Sequence, residues 1–169
     1  LTSKAHDFKP VKSESQLVED SMDNPIGSKK LEELAVGKKN IVIITSDHTR
    51  PVPSKVTMPI ILRRIRSVNK DAKIKILIAN GFHRPTTKEE LIFKMGEEIV
   101  ENEEIVMHIS TDDSQMVKAG VLPSGGDFYL NKVAFEADLL IAEGFIEPHF
   151  FAGFSGGRKS VLPGIASYK

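Results

Sequence analysis

The chain has 169 residues, with 23 lysines and arginines against 23 aspartates and glutamates and 40% hydrophobic residues, which is the composition of an ordinary globular chain of about one domain. The absence of cysteine excludes thiol nucleophiles, thiolate metal sites and disulfide scaffolds. Zero net charge and the lack of tryptophan disfavour a nucleic-acid surface, and the absence of a signal peptide or an apolar run near ~18 residues predicts a cytoplasmic protein without a membrane segment.

The N-terminal part of the chain is polar and carries no strong structural pattern. Residues 1–23 are expected to form an extended arm, and residues 24–169 an α/β domain. Ser28 is a candidate N-cap for a short helix that stops at Gly37. Because the chain opens without methionine and closes directly after its most motif-like stretch, we expect it to be a truncated piece of a longer protein.

Four runs of aliphatic residues predict buried parallel strands. They lie at 40–45, 73–79, 105–109 and 139–142. Continuous apolar runs of this kind are typical of parallel strands because both faces of such a sheet are covered. Helical patterns separate them, over 53–69 and from the capping box at Thr87 to about Met95. This alternation predicts an α/β fold with a Rossmann-like, mostly parallel sheet and helices on both faces.

Two stretches of the chain are less regular. In the helix over 53–69, the apolar residues follow a 3.6-residue period, and Arg63, Arg64 and Arg66 fall outside the apolar face. Residues 110–130 show no clear period, and no single element is predicted there.

Polar residues follow the first two strands, where ligands of parallel sheets bind. Asp47, His48, Thr49 and Arg50 follow the first strand, and a guanidinium such as Arg50 suits a planar carboxylate or phosphate. His83 follows the second strand. Because neighbouring parallel strands end at one edge, we expect both loops to reach the same bound molecule.

The loop after the fourth strand combines a histidine, two glycines and a lysine. Gly156 and Gly157 are candidates for a cradle of backbone N–H groups that holds a phosphate. Lys159 is not a P-loop lysine, because Arg158 stands where that motif requires glycine. With His149, the site then holds two histidines, which suits a reaction that moves protons on two sides of one substrate.

Three separated motifs in this chain resemble the lactate racemase family, whose members use a nickel-pincer nucleotide. They are SDHTRPVP at 46–53, GFHRPTT at 81–87 and EPHFFAGFSGGRKSVLPG at 147–164. The resemblance runs from about Asn24 to the end of the chain. It implies that residues 24–169 are the cofactor-binding, N-terminal part of a larger two-domain enzyme.

The resemblance implies a role for each motif residue. The cofactor, Ni(II)-pyridinium-3,5-bisthiocarboxylate mononucleotide, would be attached covalently to Lys159. His83 and His149 would be the two general acid/bases, and Arg50 would also meet the substrate carboxylate. Contacts to the cofactor are expected from Asp47, His48, Thr49 and Arg50, and, from the residue pattern alone, from Gly156 and Gly157.

The implied activity is that of an isomerase, a racemase or epimerase of a lactate-like 2-hydroxy acid. One histidine would take the hydroxyl proton while the α-hydrogen moves as hydride to the nickel-bound carbon of the pyridinium. A base for each enantiomer accounts for two histidines. The nickel would be held by the cofactor and by a histidine beyond this chain, so no metal ligand is expected within it.

Two further expectations follow from the resemblance, and one alternative stays open. The partners would be the 2-hydroxy acid, the missing C-terminal domain and the proteins that make the cofactor. Because that domain closes the cleft, the 169-residue piece alone is expected to be inactive. The alternative hypothesis is a non-catalytic α/β module that binds an anionic nucleotide or a sugar phosphate.

Overall fold

A four-stranded parallel sheet with the order β3-β2-β1-β6 forms the centre of the computed structural model, which describes Asp7, residues 9–150 and residues 153–169. In chain order, the strands are β1 (Asn40–Ser46), β2 (Lys73–Ala79), β3 (Glu104–Met107), β4 (Met116–Val121), β5 (Asp127–Asn131), β6 (Leu139–Ala142), β7 (Pro148–His149) and β8 (Gly153–Phe154). Strand β1 pairs in register with both neighbours, through Ile43 opposite Ile76 and Ile141. The predicted parallel sheet is confirmed.

Helices flank the sheet. They are α1 (Glu14–Asp23), α2 (Leu31–Ala35), α3 (Ser54–Val68), α4 (Lys88–Met95), α5 (Glu97–Asn102) and α6 (Lys132–Phe135). Helix α4 begins after Thr87, whose hydroxyl accepts from the Glu90 N–H, as the capping box predicts, and it ends at Gly96. Across the described ranges, no helix is long and apolar enough to cross a membrane.

Both faces of the sheet are covered, which explains the continuous apolar runs of β1 and β2. On one face, Ile41, Ile43 and Ile76 pack with Met58 of α3 and Met95 of α4. On the other face, Val42, Ile44 and Leu77 pack against Leu130, Ala134 and Ile165, so β5, α6 and the C-terminal segment share that cover. The fold class is therefore confirmed. The structure also contains an antiparallel β4–β5 hairpin, which was not among the predicted elements.

The expected extended arm is wrong over 14–23, where α1 forms after a Ser13 capping box. Arg64 of α3 anchors this helix, with its Nε 2.8 Å from Glu19 Oε2 and its Nη1 3.0 Å from Asp23 Oδ1. A third carboxylate, that of Glu32, accepts from Nη1 at 2.8 Å. Arg64 is thus buried between helices rather than turned to solvent. Residues 1–6 and 8 of the arm lie outside the described residues.

The structure corrects one local prediction and shows which elements occupy a stretch for which none was predicted. Helix α2 begins after Lys30, whose N–H donates to the Glu33 carboxylate, whereas the Ser28 hydroxyl donates to the Lys29 carbonyl. The stretch 110–130 contains most of the β4–β5 hairpin. Its register shifts between Lys118 and Gly120. Such an irregularity interrupts the alternation by which a strand is recognised in a sequence.

Candidate functional site

A cleft of about 400 Å³ lies at the carboxyl ends of β1, β2 and β6. The loops that follow these strands form its walls, because parallel strands end at one edge of a sheet. The predicted site residues that line it are Asp47, Thr49, Arg50, His83, His149, Gly156 and Lys159. His48 and Gly157 do not belong to this lining.

Asp47 and His83 form a hydrogen-bonded pair across two strand-end loops. The Asp47 Oδ2 and the His83 Nδ1 are 2.6 Å apart. Asp47 is 2% exposed, and its other oxygen accepts from the Thr49 N–H at 3.1 Å and the Thr49 hydroxyl at 2.6 Å. The aspartate therefore occupies a rigid position, and the partly exposed imidazole is held against it.

The surroundings of Asp47 keep its carboxylate ionised. Burial alone would raise the pKa of Asp47, but the hydrogen bonds from Thr49 and His83 outweigh burial and hold this pKa below its ordinary value. An ionised Asp47 accepts the Nδ1 proton of His83. Nε2 of the neutral ring then carries a lone pair, as a general base requires.

Arg50 stands on the same loop at the edge of the cleft. Its Nη1 lies 3.1 Å from the Thr49 hydroxyl, and its Nε lies 3.9 Å from the Glu147 carboxylate. The distance to the Glu147 carboxylate is long for an arginine ion pair. The guanidinium is thus placed to bind an anion in the cleft while its charge is only loosely balanced.

The loop after β6 folds back on itself to carry His149 into the cleft. The buried Ser155 hydroxyl donates to the Phe145 carbonyl at 2.8 Å and accepts from the Glu147 N–H at 3.1 Å. A Cβ on Gly156 would lie 3.0 Å from the Phe145 carbonyl, so this approach requires glycine. His149 stacks on Phe150, with ring centroids 5.0 Å apart. Phe151, which belongs to the motif at 147–164, lies outside the described residues.

Lys159 lies on a 3-10 turn, Gly157–Ser160, that is tied to the end of β2. The Gly164 N–H donates to the Lys159 carbonyl at 3.0 Å, and the Gly81 N–H donates to the Gly164 carbonyl at 3.0 Å. The lysine backbone is therefore positioned by hydrogen bonds that reach the His83 loop. Its side chain is partly buried and lines the cleft.

His48 faces a second cavity of about 680 Å³, on the far side of the Arg50 loop. Its Nδ1 lies 3.1 Å from the Thr86 hydroxyl and 3.7 Å from the Glu90 carboxylate. The chain turns at His48 and Thr49, where the Arg50 N–H donates to the Asp47 carbonyl at 3.4 Å, and the turn places His48 outside the lining of the cleft. Arg50 and Thr49 line both cavities.

Two buried charged residues near the cleft were not singled out from the sequence. Glu143 directly follows β6 and is 6% exposed, so its strand-end position was a usable signal. Lys94 of α4 is 8% exposed, and nothing in its sequence surroundings distinguishes it from a surface lysine.

The cleft offers groups for an anionic ligand rather than for a bare metal ion. Among the described residues, no cluster of three or more histidine, aspartate or glutamate side chains could hold a metal ion. Arg50 and Lys159 supply positive charge. The buried Ser46 hydroxyl has no hydrogen-bond partner within the described part of the chain, although Ser46 lines the cleft. A polar group of a ligand would complete it.

Comparison with known proteins gives a consistent result. The family model of the lactate racemase N-terminal domain matches residues 2–169. The chain is 72% identical over 169 residues to a lactate racemase of Lactiplantibacillus plantarum and 62% identical over 167 residues to one of Thermoanaerobacterium thermosaccharolyticum. These matches cover 100% and 99% of this chain but 40% and 39% of the relatives. The chain thus spans about two fifths of their length.

Two solved structures are similar to this one. The lactate racemase apoprotein from Thermoanaerobacterium thermosaccharolyticum superposes with a TM-score of 0.90 at 64% identity, over 92% of this chain and 37% of that chain. A protein from Thermotoga maritima superposes with a TM-score of 0.67 at 27% identity, over 85% of this chain and 39% of its own.

Proposed function

This chain belongs to the lactate racemase N-terminal domain family, and we propose that it carries the cofactor site and both proton-transfer bases of a 2-hydroxy-acid racemase. The Asp47–His83 pair is the observation that carries the proposal, because it lies in the same cleft as His149, Arg50 and Lys159. A carboxylate that orients an imidazole is the usual structure of a general base. The reaction that we propose for the full-length protein is the interconversion of the two enantiomers of lactate.

Each enantiomer presents its hydroxyl proton on a different side of the substrate plane, and two histidines serve the two sides. His83 takes the proton at Nε2, since its Nδ1 faces Asp47. His149 takes or returns the proton on the other side. Arg50 binds the substrate carboxylate, because its guanidinium can donate two parallel hydrogen bonds to it.

The residues of the cleft fit a nickel-pincer nucleotide, Ni(II)-pyridinium-3,5-bisthiocarboxylate mononucleotide. Lys159 supplies the amine for covalent attachment, and Asp47, Thr49 and Arg50 contact the bound nucleotide. The lone Ser46 hydroxyl matches a polar ligand group. When bound, this group supplies the electrophile that accepts and returns the α-hydrogen as hydride. In the same proposal, the backbone N–H groups of Gly156 and Gly157 bind the phosphate of the nucleotide. His48 supports the Asp47 loop from the side of the second cavity.

The described residues leave part of the reaction to the rest of a longer protein. The nickel ligand from the protein and the contacts that close the cleft would come from a C-terminal domain like that of the relatives. Proteins that synthesise the cofactor are the further partners. We therefore expect the 169-residue chain alone to show no racemase activity.

The test uses the full-length protein, co-expressed with the cofactor-synthesis proteins in the presence of nickel. We expect the peptide that contains Lys159 to carry the nucleotide adduct and the protein to racemise D- and L-lactate. His83→Asn and His149→Asn should each keep the adduct and lower kcat by about 10²–10⁴-fold, the range of general acid–base catalysis. Lys118→Arg, on the distant hairpin, is the control.

Each result separates the two hypotheses. Racemisation by a protein whose Lys159 stays unmodified would contradict covalent attachment at this lysine. If the full-length protein binds the nucleotide but turns over no 2-hydroxy acid, the chain is a binding module for an anionic nucleotide. Turnover that neither histidine variant lowers would contradict the two histidines as bases. Substrates other than lactate are tested in the same assay with longer 2-hydroxy acids.

A further inference from the structure

A cluster of hydroxyl groups surrounds the buried carboxylate of Glu143, directly beneath the cleft. Its Oε2 accepts from the Thr45 hydroxyl at 2.5 Å and the Ser54 hydroxyl at 2.9 Å, and its Oε1 accepts from Thr57. The Glu143 N–H donates to the Ile44 carbonyl at 2.8 Å. The carboxylate is therefore fixed between the ends of β1 and β6 and the first turn of α3.

The hydroxyl cluster is built to hold an anion. Thr45 and Ser54 are completely buried, so their hydroxyls have no water to bond and are directed at the carboxylate. An ionised carboxylate in a buried position is stable only when hydrogen bonds and an opposite charge compensate for the lost hydration. The three hydroxyls supply the hydrogen bonds. They carry no charge, and the opposite charge must come from elsewhere.

Lys94 supplies that charge. Its ammonium is fully buried and has no hydrogen-bond partner within the described residues. Burial lowers the pKa of Lys94, and the carboxylates of Glu143 and Asp47 act against that shift. Lys94 also lines the second cavity together with Thr49 and Arg50, which belong to the Asp47 loop, and it forms a hydrogen bond with neither the Asp47 nor the Glu143 carboxylate. A methionine would fill the same space with no hydration cost, so packing does not explain a lysine here.

We propose that Lys94 and Glu143 are positioning residues that set how strongly the Asp47–His83 pair holds its proton. Lys94 places a positive charge behind Asp47, which weakens the attraction of that carboxylate for a protonated His83. Glu143 opposes Lys94 and keeps it charged. Because all three groups are buried, solvent and salt screen their interaction little.

Other charged groups act on the same pair from the elements around it. From the cleft side these are Arg50, His149 and Lys159, and Arg84 raises the positive potential at Asp47 from the His83 loop. Behind the loop lie His48, Lys55, Glu89 and Glu90. Lys55, Arg84 and Glu89 are exposed, and Arg50 forms only a long ion pair with Glu147. Water therefore screens these four charges more than that of Lys94. Glu90, His48, His149 and Lys159 are partly buried.

The first test measures the His83 titration directly, in the full-length apoprotein labelled at histidine, with the resonance assigned through His83→Asn. Removal of the positive charge in Lys94→Met should raise the titration midpoint of His83 by about half a pH unit to one unit, as expected for the loss of one buried charge near the pair. Glu143→Gln should move it in the opposite direction and by less, because loss of the carboxylate also favours neutral Lys94.

The double variant and the control make the test specific. With both charges removed, the midpoint should return toward that of the parent protein. Lys55→Met is the matched control, because Lys55 lines the same cavity but is exposed and stacks on Phe93 instead of facing the carboxylates. Circular dichroism checks the fold of each variant, and Lys94→Gln replaces Lys94→Met if that protein does not fold. Equal shifts in the Lys94 and Lys55 variants, or no shift in either, would overturn the proposal.

The inference rests on the proposed role of His83 as a base, and the two can fail separately. In the cofactor-loaded enzyme, the acid limb of the kcat/KM profile should move to higher pH in Lys94→Met, in step with the His83 titration. A shifted titration without a shifted rate profile would keep the electrostatic coupling but contradict His83 as the essential base. An unshifted titration contradicts the coupling, whatever the activity.

Discussion

Two buried cations, Arg64 of α3 and Lys94 of α4, lie near carboxylates but contact them differently. Arg64 donates to Glu19, Asp23 and Glu32 at distances of 2.5–3.0 Å. These hydrogen bonds raise the pKa of Arg64 further above its ordinary range. The Lys94 ammonium makes no such bond within the described chain, and burial lowers its pKa.

The difference distinguishes an ion cluster that holds helices together from one that we propose to change the proton affinity of the Asp47–His83 pair. The Arg64 cluster has the fork geometry in which a guanidinium satisfies several carboxylates at once, and it lies at the end of the molecule away from the cleft. The Lys94 ammonium has no hydrogen bond within the described ranges and lines the cavity behind the Asp47 loop. Proteins tolerate an unsatisfied buried charge chiefly where function uses it. Loss of Arg64 should therefore affect stability, and loss of the cleft charges should affect activity.

The largest expected effect is on activity, at the cleft. Asp47→Asn keeps the size of the side chain but removes the charge that holds the His83 Nδ1 proton. We expect kcat of the full-length, cofactor-loaded enzyme to fall by about 10²–10⁴-fold, as for loss of general-base function. The Lys159 adduct and the thermal midpoint serve as controls. A variant with parental kcat would show that His83 does not depend on this aspartate.

The next effect concerns the turn that carries Lys159. In Gly164→Ala, the new Cβ would lie 2.3 Å from the Ser160 carbonyl oxygen, so the backbone must shift. We expect the free energy of unfolding to fall by about 2–3 kcal/mol, the range for overpacking in a tight environment, together with a loss of activity. Gly126→Ala is the matched control, since its Cβ would meet only the Ser124 hydroxyl at 3.8 Å. Urea unfolding of both variants measures the difference, and equal stabilities would refute this account.

Arg64→Met should reduce stability without reducing turnover. The methionine fills the buried volume but leaves the carboxylates of Glu19, Asp23 and Glu32 without their common donor. Because these carboxylates are partly exposed and can be hydrated, we expect a loss of about 2 kcal/mol, less than for a fully buried pair. Urea unfolding gives the free energy, and the kcat of folded enzyme is measured at low temperature. A drop in kcat comparable to that of Asp47→Asn would erase the distinction between the two clusters.

The smallest effect is on the pH dependence of stability. Hydrogen bonds from Arg64 lower the pKa of Glu19 and Asp23 below their ordinary values of 4.5 and 3.8, and the pKa of Asp47 also lies below 3.8. A carboxyl group whose pKa is lower in the folded state adds stability above its unfolded pKa and loses it as pH falls through the folded value. The temperature of the thermal midpoint should thus decrease as the pH is lowered below about 4.5, and it should decrease less steeply in Arg64→Met. Parallel curves for parent and variant would contradict this assignment.

The sequence predicted those features that depend on residues close together in the chain. The run at 40–45 identified β1, and the Thr87 capping box located the start of α4. The strand-end rule placed Asp47 and His83 on one edge, because the position of a loop in a parallel sheet follows from the strand before it. Arg64 was not predicted to be buried, for the opposite reason. Its carboxylate partners come from helices far earlier in the chain, and a helical period shows only the direction of a side chain.

The composition, the four aliphatic runs and the three motifs were sufficient for the fold class and for the family, since both are recorded in local patterns of residue type. Only the tertiary structure decided that His48 turns away from the cleft and that Glu143 meets three hydroxyl groups from β1 and α3. It also decided that the Lys94 ammonium is buried without a hydrogen bond to any of the residues that the structure describes. Burial and charge pairing depend on which distant segments of the chain come into contact. Those contacts are determined by the free energy of the complete fold and not by local residue patterns.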